Sequence, residues 1–263
     1  MTTTDPSTDR RGDPSAAGGA SAPVSRSFTA MFDSICTNIA GAVHGKDDVI
    51  RLTVTCLLAG GHLLIEDVPG VGKTTIAKAL ARSVDGTFGR VQFTPDLLPS
   101  DVLGSSVWNQ RDSGFEFRAG PVFHHLLLSD EINRASPKTQ SALLEAMAEE
   151  QVTVDGATYP LPRPFMVVAT QNPYDFEGTY ALPENQLDRF LMKLHVPYPE
   201  LAAEKEMLRA YSQPRPQLKP VLSAQAILEL CGMAARVHVD EEIFDYVVEL
   251  VHFTRRHRRV ALG

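Results

Sequence analysis

The sequence predicts an α/β fold in which a five-stranded parallel sheet lies between helices, followed by a smaller helical domain. Short apolar runs closed by turn residues alternate with helical stretches of about ten residues or more. A loop containing glycines and a lysine follows the first of these runs. After residue 197 only helical patterns remain. Unbroken apolar strands that alternate with helices indicate a parallel sheet covered on both faces.

The chain begins with a segment that we expect to be disordered. Residues 1–25 consist mainly of Thr, Ser, Asp, Pro, Gly and Ala, so they bury too little apolar surface to offset the entropy of ordering them. From Phe28 onward, apolar residues recur every three or four positions, which predicts an amphipathic helix ending at Gly45. A second helix is predicted to end at Gly60, and the α/β domain is predicted to cover residues 26–197.

Five short runs carry the strand pattern. In a parallel α/β sheet the crossovers are right-handed, and ligands bind at the carboxyl ends of the strands. Two further segments, 107–117 and 151–161, alternate around turn residues and predict β-hairpins inserted into the βα order. The five predicted strands are 62–66, 90–93, 126–129, 165–170 and 191–196.

The predicted helical domain covers residues 198–263. Ser223 and Asp240 stand where helix N-caps are expected. Two capped helices and a basic tail form a thin core for an independent domain, so we expect this chain to be cut short. The predicted helical segments are 200–212, 223–236 and 241–254.

Composition narrows the class of protein. The net charge of -7 and pI near 5.6 disfavour a non-specific nucleic-acid binder, which needs a net basic surface. Cys36, Cys56 and Cys231 lack metal-ligand spacing and are expected to be free thiols in a reducing cytosol. The N-terminus has no apolar leader pattern, and no apolar run approaches the roughly 18 residues of a membrane helix. We therefore expect a cytoplasmic protein without membrane insertion.

A phosphate-binding loop is predicted between the first strand and the next helix. Glycines let backbone N–H groups surround a phosphate, and the helix N-terminus adds positive potential. Lys73 is predicted to reach the β- and γ-phosphates of ATP, and Thr74 to coordinate Mg²⁺. Asp67 stands where the strict pattern has glycine, so its carboxylate should point away from the phosphates. The predicted ATP-binding residues of the loop are Pro69, Gly70, Val71, Gly72, Lys73, Thr74 and Thr75.

Two adjacent carboxylates follow the third apolar run. Asp130 and Glu131 should lie at the carboxyl end of that strand, beside the phosphate-binding loop. We predict that Asp130 holds Mg²⁺ and that Glu131 is the general base toward the attacking water. Without the loop, the same pair would be equally compatible with a solvated turn.

Two further polar residues each have two interpretations from spacing alone. Asn172 either lies between the carboxylates and the γ-phosphate or belongs to an ordinary Asn-Pro turn. Arg189 is either a surface ion-pair residue or an arginine finger that stabilises charge on a neighbour's γ-phosphate.

Several segments resemble the MoxR group of AAA+ ATPases, and the resemblance runs from about Gly45 to the end of the chain. Its motifs are long and specific, and the aspartate at position 67 looks like a usual variant within this group. The matching segments are HLLIEDVPGVGKT (62–74), QFTPDLLPSD (92–101), SDEINRA (129–135), ATQNP (169–173) and LPENQLDRF (182–190).

The resemblance implies roles that spacing does not show. Asn172 matches the sensor-1 position, and Arg189 matches an arginine finger that acts across a subunit boundary. Gly45 lies in a stretch that resembles the one near adenine, although Lys46 stands where a glutamine is expected. The hairpins look like the helix-2 and pre-sensor-1 insertions. The family further implies a ring, most simply a homo-hexamer, and a sensor-2 arginine beyond residue 263, so that the lid is incomplete here.

Three functions compete at this stage. The first is an ATP-driven, chaperone-like remodeller that matures or activates a client protein together with a von Willebrand factor A domain partner. The second is a nucleic-acid translocase, for which the basic run Arg255–Arg259 is the supporting feature; that run also suits a helix C-terminus for local reasons. The third is a nucleotide-gated scaffold with little turnover, against which the presence of Glu131 argues.

Overall fold

A computed structural model describes residues 22–66, 72–172, 178–197, 204–205, 208–209 and 217–260, with side chains described from residue 28 onward. The strands are β1 Leu63–Glu66, β2 Phe88–Gln92, β3 Gly104–Asn109, β4 Gly114–Ala119, β5 Leu126–Asp130, β6 Gln151–Val154, β7 Ala157–Pro160, β8 Met166–Gln171 and β9 Met192–Leu194. The helices are α1 Ala22–Ala40, α2 Asp47–Leu58, α3 Lys73–Ser83, α4 Pro99–Leu103, α5 Pro137–Glu149, α6 Glu184–Leu187, α7 Ala224–Ala234 and α8 Glu241–Arg256, with a 3-10 turn at Ile132–Arg134.

The central sheet has five parallel strands in the order β2-β5-β8-β1-β9. This confirms the predicted fold class and all five predicted strands within a few residues. After β1 the chain passes through α3 and reaches β2 at the far edge of the sheet. The carboxyl ends of β5, β8 and β1 therefore lie side by side, where an α/β sheet binds its ligands.

Both faces of the sheet are covered, as the unbroken apolar strands predict. Along β5, Leu126 and Leu128 belong to a core shared with α1, α2, α3 and α7, whereas Leu127 belongs to a core shared with α5. All three leucines are fully buried. Burial of one such side chain is worth about 1.5–3 kcal/mol, so these two cores hold the strand that carries Asp130 rigidly in place.

Two antiparallel hairpins interrupt the βα order at the predicted positions. Strand β3 pairs with β4, and β6 pairs with β7. Asp155 and Gly156 both have positive φ, 50° and 80°, as an Asp-Gly hairpin turn requires. Phe117 of the first hairpin stacks on Tyr159 of the second with ring centroids 4.0 Å apart. The two insertions therefore contact each other.

The N-terminal boundary differs from the prediction. Helix α1 already begins at Ala22, four residues before the predicted start of the domain at residue 26, and residues 1–21 lie outside the described residues. The helix also ends at Ala40 and not at Gly45. Val43 remains buried beyond the helix end, so its side chain continued the apolar spacing without helical backbone. Gly45 instead occupies the following turn with φ 66°.

The C-terminal helices match the predicted pattern in part. The Ser223 hydroxyl accepts the N–H of Ala226 at 3.2 Å, which confirms it as the N-cap of α7. Asp240 occupies the N-cap position of α8 without a side-chain cap bond; its carboxylate contacts His238 Nε2 at 2.9 Å instead. Residues 204–205 and 208–209 are helical, whereas 198–203 lie outside the described residues, so the boundary after residue 197 stays a prediction.

Candidate functional site

The predicted metal ligand Asp130 and the predicted general base Glu131 lie where β5 ends. Asp130 is the last residue of the strand and is only 7% exposed. Glu131 follows with φ 57° and ψ 50°, in the left-handed region. A non-glycine residue there is uncommon and is held by its surroundings, often at functional sites. The unusual backbone turns the chain out of the strand directly after Asp130.

Thr170 of the neighbouring strand β8 connects the two carboxylate residues. Its hydroxyl donates to Asp130 Oδ1 at 3.3 Å and accepts the backbone N–H of Glu131 at 2.9 Å. Thr170 is buried, so both bonds are shielded from water. Sequence reasoning assigned this threonine no role, although a polar residue near the end of an apolar strand was a usable signal.

The other neighbouring strand, β2, holds both carboxylates from the opposite side. Arg90 donates from Nε to Asp130 Oδ2 at 2.7 Å, and its Nη2 lies 2.7 Å from the same oxygen. Two residues later on the same strand face, Gln92 donates from Nε2 to Glu131 Oε2 at 2.8 Å. Sequence reasoning missed both residues as site residues, because nothing local links them to carboxylates about 40 positions later.

Glu131 has a further cationic neighbour on its own turn. Arg134 Nε lies 3.1 Å from Glu131 Oε2, the oxygen that also accepts from Gln92. The carboxylate is about one third exposed, with side-chain exposure of 30%. Glu131 is therefore restrained through one oxygen while its side chain still reaches solvent.

The described part of the predicted phosphate-binding loop begins at Gly72. Gly72 precedes α3 with φ 96°, and Lys73 begins the helix. The N–H groups of Thr75 and Ile76 donate to the Gly72 carbonyl, each at 3.0 Å. Thr74 lies in the first helical turn, half-buried. The three predicted residues that precede Gly72, together with the departure at position 67, lie outside the described residues: Pro69, Gly70, Val71 and Asp67.

Glu66 ties the strand that leads into this loop to its neighbours. Its carboxylate accepts from Gln171 Nε2 and lies 2.6 Å from Lys193 Nζ, while its backbone carbonyl contacts His195 Nδ1 at 2.9 Å. The register pairs Glu66 with Gln171, so Asn172, the next residue, lies just beyond the end of β8. The structure thus brings Asn172 to the same carboxyl end of the sheet as Asp130 and Glu66.

Arg189 lies at the opposite end of the sheet, where the strands begin. It is exposed, follows α6 and precedes β9, and the Leu191 N–H donates to the His62 carbonyl at 2.9 Å at the amino end of β1. The four residues of β1 span about 13 Å at the usual rise of a strand. The structure therefore does not bring Arg189 to the carboxyl-end site of its own chain.

Gly45 lies beside a contact that joins two distant segments. Its neighbour Lys46 is buried and donates from Nζ to the carbonyl of Pro197. The turn at Gly45 has positive φ, which glycine adopts without strain. The predicted adenine-side segment is thus fastened to Pro197, about 150 positions later in the chain.

The donor set suits a hard divalent cation that is held largely by its substrate. Thr74 offers a hydroxyl and Asp130 a carboxylate, and oxygen ligands are those that Mg²⁺ prefers. Within the described ranges no cluster of three or more His, Cys, Asp or Glu could hold a metal ion by itself. Mg²⁺ in nucleotide sites normally uses one or two protein ligands together with phosphates, so the residues present fit the predicted ion.

Two other expectations concern the whole chain. Cys36, Cys56 and Cys231 are free thiols, and burial raises the pKa of Cys56 to about 12. Across the part of the chain that the structure describes, the helices are all too short or too polar to traverse a bilayer.

Comparison with known proteins assigns this geometry to a family. The model of the "ATPase family associated with various cellular activities (AAA)" matches residues 62–192. The uncharacterized protein YeaC of Bacillus subtilis is 52% identical over 83% of this chain and 69% of its own length. Chaperone MoxR1 of Mycobacterium tuberculosis is 43% identical over 95% of this chain and 65% of its own. Protein MoxR of Paracoccus denitrificans is 34% identical over 82% of this chain and 67% of its own.

A solved structure agrees with these relatives. The crystal structure of a candidate ATPase from Cytophaga hutchinsonii superposes with a TM-score of 0.81 and 42% identity, covering 88% of this chain and 71% of that one. The chain spans about two thirds of the length of the relatives YeaC and MoxR1, 69% and 65% respectively.

Proposed function

Because this chain belongs to the MoxR family of AAA+ ATPases, we propose that it binds ATP with Mg²⁺ and hydrolyses it to remodel client proteins. One observation carries the proposal. Asp130 ends the central strand β5, Glu131 follows it, and the two are held by Arg90, Gln92 and Thr170. Only β8 separates β5 from β1, the strand that leads into the phosphate-binding loop. A solvated acidic turn would not need such restraint from two neighbouring strands.

The nucleotide would be held at the start of α3. Backbone N–H groups at a helix N-terminus bind phosphate, and the loop residues Pro69, Gly70, Val71 and Gly72 would extend this cradle. Lys73 would contact the β- and γ-phosphates, with Thr75 beside it. Gly45 would lie near the adenine, because its segment resembles the adenine-side stretch of this family.

Thr74 and Asp130 would hold Mg²⁺. When bound, the ion supplies positive charge that offsets the charge developing on the phosphate oxygens. Thr170 and Arg90 keep the Asp130 carboxylate oriented, so the ligand need not be ordered when the nucleotide arrives.

Hydrolysis would use Glu131 as the proton acceptor. The water oxygen attacks the γ-phosphorus, its proton passes to the Glu131 carboxylate, and the bond to the bridging oxygen breaks to give ADP and phosphate. Lys73 would stabilise charge on the transferred group, and Asn172 would orient the water or the γ-phosphate from the end of β8. The contacts of Gln92 and Arg134 with Oε2 would have to loosen or leave Oε1 as the acceptor.

Arg189 would act on a neighbouring subunit. It is exposed at the amino end of β9, on the opposite sheet edge from its own Asp130, so a role in hydrolysis requires a second copy. We propose a homo-oligomeric ring, most simply a hexamer. In it, Arg189 of each subunit stabilises the transition state of the ATP bound to the neighbouring subunit.

The hairpins would contact the client. Trp108 and Phe115 pair edge to face near the end of the first hairpin and are 52% and 75% exposed. Exposed aromatic residues on a rigid ribbon are typical binding anchors. We further propose a von Willebrand factor A domain partner and action in the cytoplasm, where free thiols persist.

The nucleic-acid alternative gains no support from the structure. Arg255 and Arg256 lie in the last turn of α8, where cations stabilise the exposed carbonyl end of a helix. The basic run therefore has a local reason that involves no nucleic acid.

The decisive experiment is steady-state ATP hydrolysis measured against protein concentration, with the whole natural protein. Wild type is compared with Glu131→Gln, Arg189→Ala and the control Arg236→Ala, which changes an exposed arginine away from the site. We expect specific activity to rise with concentration, both site variants to lose it while still binding ATP, and the control to behave as wild type. Activity that is independent of concentration, together with an active Arg189→Ala variant, would reject the ring mechanism.

A further inference from the structure

The contact between Arg90 and Asp130 joins a cation to the residue that is proposed to hold Mg²⁺. Both Nε and Nη2 of Arg90 lie 2.7 Å from the same oxygen, Oδ2. The Asp130 side chain is 10% exposed, whereas that of Arg90 is 49% exposed. Hydrogen bonds between two charged groups are stronger than those between neutral groups. The Asp130 end of this pair is shielded from solvent, whereas the guanidinium of Arg90 remains accessible.

The contact consumes most of the acceptor capacity of Asp130. A carboxylate oxygen has about two lone-pair directions, and Arg90 occupies both of those on Oδ2. Oδ1 already accepts from the Thr170 hydroxyl. The remaining direction on Oδ1 is the part of the carboxylate left for another donor or an ion.

Each of the two carboxylates already pairs with a cation in the nucleotide-free protein. Arg90 neutralises Asp130, and Arg134 pairs with Glu131 at 3.1 Å. A hard divalent cation needs negative oxygen ligands to offset the loss of its hydration. Since no larger carboxylate cluster exists in the described residues, the unliganded site offers a free cation little net negative charge.

We propose that Arg90 is a positioning residue that suppresses the binding of free divalent cations at Asp130, so that Mg²⁺ enters the site only with the phosphates of ATP. This inference rests on the proposed Mg²⁺ role of Asp130. Arg90 also fixes which carboxylate oxygen faces the incoming ion, because Oδ2 is held toward β2 and only Oδ1 remains available. The Arg90–Asp130 ion pair would therefore keep Mg²⁺ without nucleotide out of the site.

The test is the binding of Mn²⁺ alone to nucleotide-free protein. Electron paramagnetic resonance measures the concentration of Mn²⁺ that stays free in solution. Removing a unit charge from beside a carboxylate changes the attraction of that carboxylate for a cation by roughly tenfold or more, and the half-exposed Arg90 should act at the low end of this range. We therefore expect Arg90→Gln to bind Mn²⁺ at least about tenfold more tightly than wild type. Arg90→Lys keeps the charge but loses the planar pair of donors, so it should bind Mn²⁺ less tightly than Arg90→Gln.

Two controls assign the effect to the site. The double variant Arg90→Gln/Asp130→Asn should return to the wild-type Mn²⁺ affinity, and Arg118→Gln, on the separate hairpin strand β4, should not change it. Arg90→Met, which keeps the aliphatic stem, provides the same charge removal if the amide perturbs folding. Unchanged Mn²⁺ affinity in the folded neutral variants, or tightening that persists without Asp130, would overturn the inference.

The outcome is separable from that of the proposed function. Asp130→Asn alone should abolish Mg²⁺-dependent ATP hydrolysis. If it does so while Arg90→Gln leaves Mn²⁺ affinity unchanged, the role of Arg90 is rejected and the ATPase site stands. If Asp130→Asn hydrolyses ATP normally, the metal role of Asp130 itself is rejected, and the inference with it.

Discussion

Thr170 Oγ1 lies 3.3 Å from Asp130 Oδ1, across the boundary between the two central strands β8 and β5. Thr170 Oγ1 also accepts the backbone N–H of Glu131 at 2.9 Å. One buried hydroxyl therefore sets the direction of the proposed metal ligand and the backbone of the proposed general base. Strand β8 carries neither carboxylate, yet its Thr170 fixes the geometry of both Asp130 and Glu131.

Replacement of Thr170 by valine tests this relation. The change keeps the shape but removes both bonds, leaving the Glu131 N–H without its acceptor, which should cost about 1–3 kcal/mol of the free energy of unfolding. We expect kcat for ATP hydrolysis to fall by roughly ten- to a hundredfold, the usual effect of removing a partner that orients a metal ligand. Thr158→Val is the matched control, because Thr158 is exposed and bonds only across its hairpin to Thr153. Equal kcat in the two variants would contradict the proposed role of Thr170.

Gly72 should resist replacement for a backbone reason. A methyl group there would meet no atom within 4 Å, but φ is 96°, which costs other residues about 1–3 kcal/mol. We expect Gly72→Ala to weaken binding of a fluorescent ATP analogue by about tenfold or more, as the loop relaxes away from its phosphate-binding form.

Gly232 provides the opposite case in the same molecule. It lies within α7, where a methyl group also meets nothing within 4 Å and φ is not positive. Gly232→Ala should therefore stabilise the protein by about 0.5–1 kcal/mol in chemical denaturation and leave ATP binding unchanged. If both alanine variants behave alike, backbone strain at Gly72 is not the cause.

His62 should make stability depend on pH. Its Nδ1 accepts the Val167 N–H at 3.0 Å, so its Nε2 carries the proton and donates to the Met147 carbonyl at 3.1 Å. Burial lowers the pKa of His62 below its usual 6.5. The unfolded chain then takes up a proton before the native state does, so stability present above pH 6.5 is lost as the pH falls toward the folded-state pKa.

Denaturant unfolding at several pH values between 7.5 and 5 checks this direction. His62→Phe should be less stable at neutral pH, because it leaves the Val167 N–H and the Met147 carbonyl unpaired. Its free energy of unfolding should also fall less steeply with decreasing pH than that of the wild type. The exposed His238→Gln should retain the wild-type slope. A slope that is unchanged in His62→Phe would show that other groups, such as His125, whose pKa is also lowered by burial, cause it.

The exposed aromatic pair should determine client affinity. Trp108→Ala/Phe115→Ala removes two binding anchors whose rings touch mainly each other, with centroids 5.3 Å apart. Affinity for an unfolded model polypeptide, measured by fluorescence anisotropy with the whole protein, should fall by about tenfold or more. Leu52→Ala, at an exposed apolar position on α2, is the control and should not change it. Full affinity in the double variant would exclude the hairpin as the client-contact surface.

Local patterns in the sequence determined much of this protein. The apolar runs predicted the five strands, and Asp-Gly at 155–156 predicted a hairpin, because these features depend on residues that are neighbours in the chain. Asp130 and Glu131 could be identified for the same reason: an acidic pair after an apolar run, downstream of a glycine-lysine loop, is a local signal.

Only the tertiary structure decided how these residues are held. Arg90, Gln92 and Thr170 reach the carboxylates because β2 and β8 flank β5 in the sheet. Strand order follows from how both sheet faces bury their apolar side chains, and no local pattern records it. The same holds for Arg189: the family resemblance implies a catalytic arginine, but the parallel sheet puts it about one strand length from its own site. A role in hydrolysis therefore requires a neighbouring subunit.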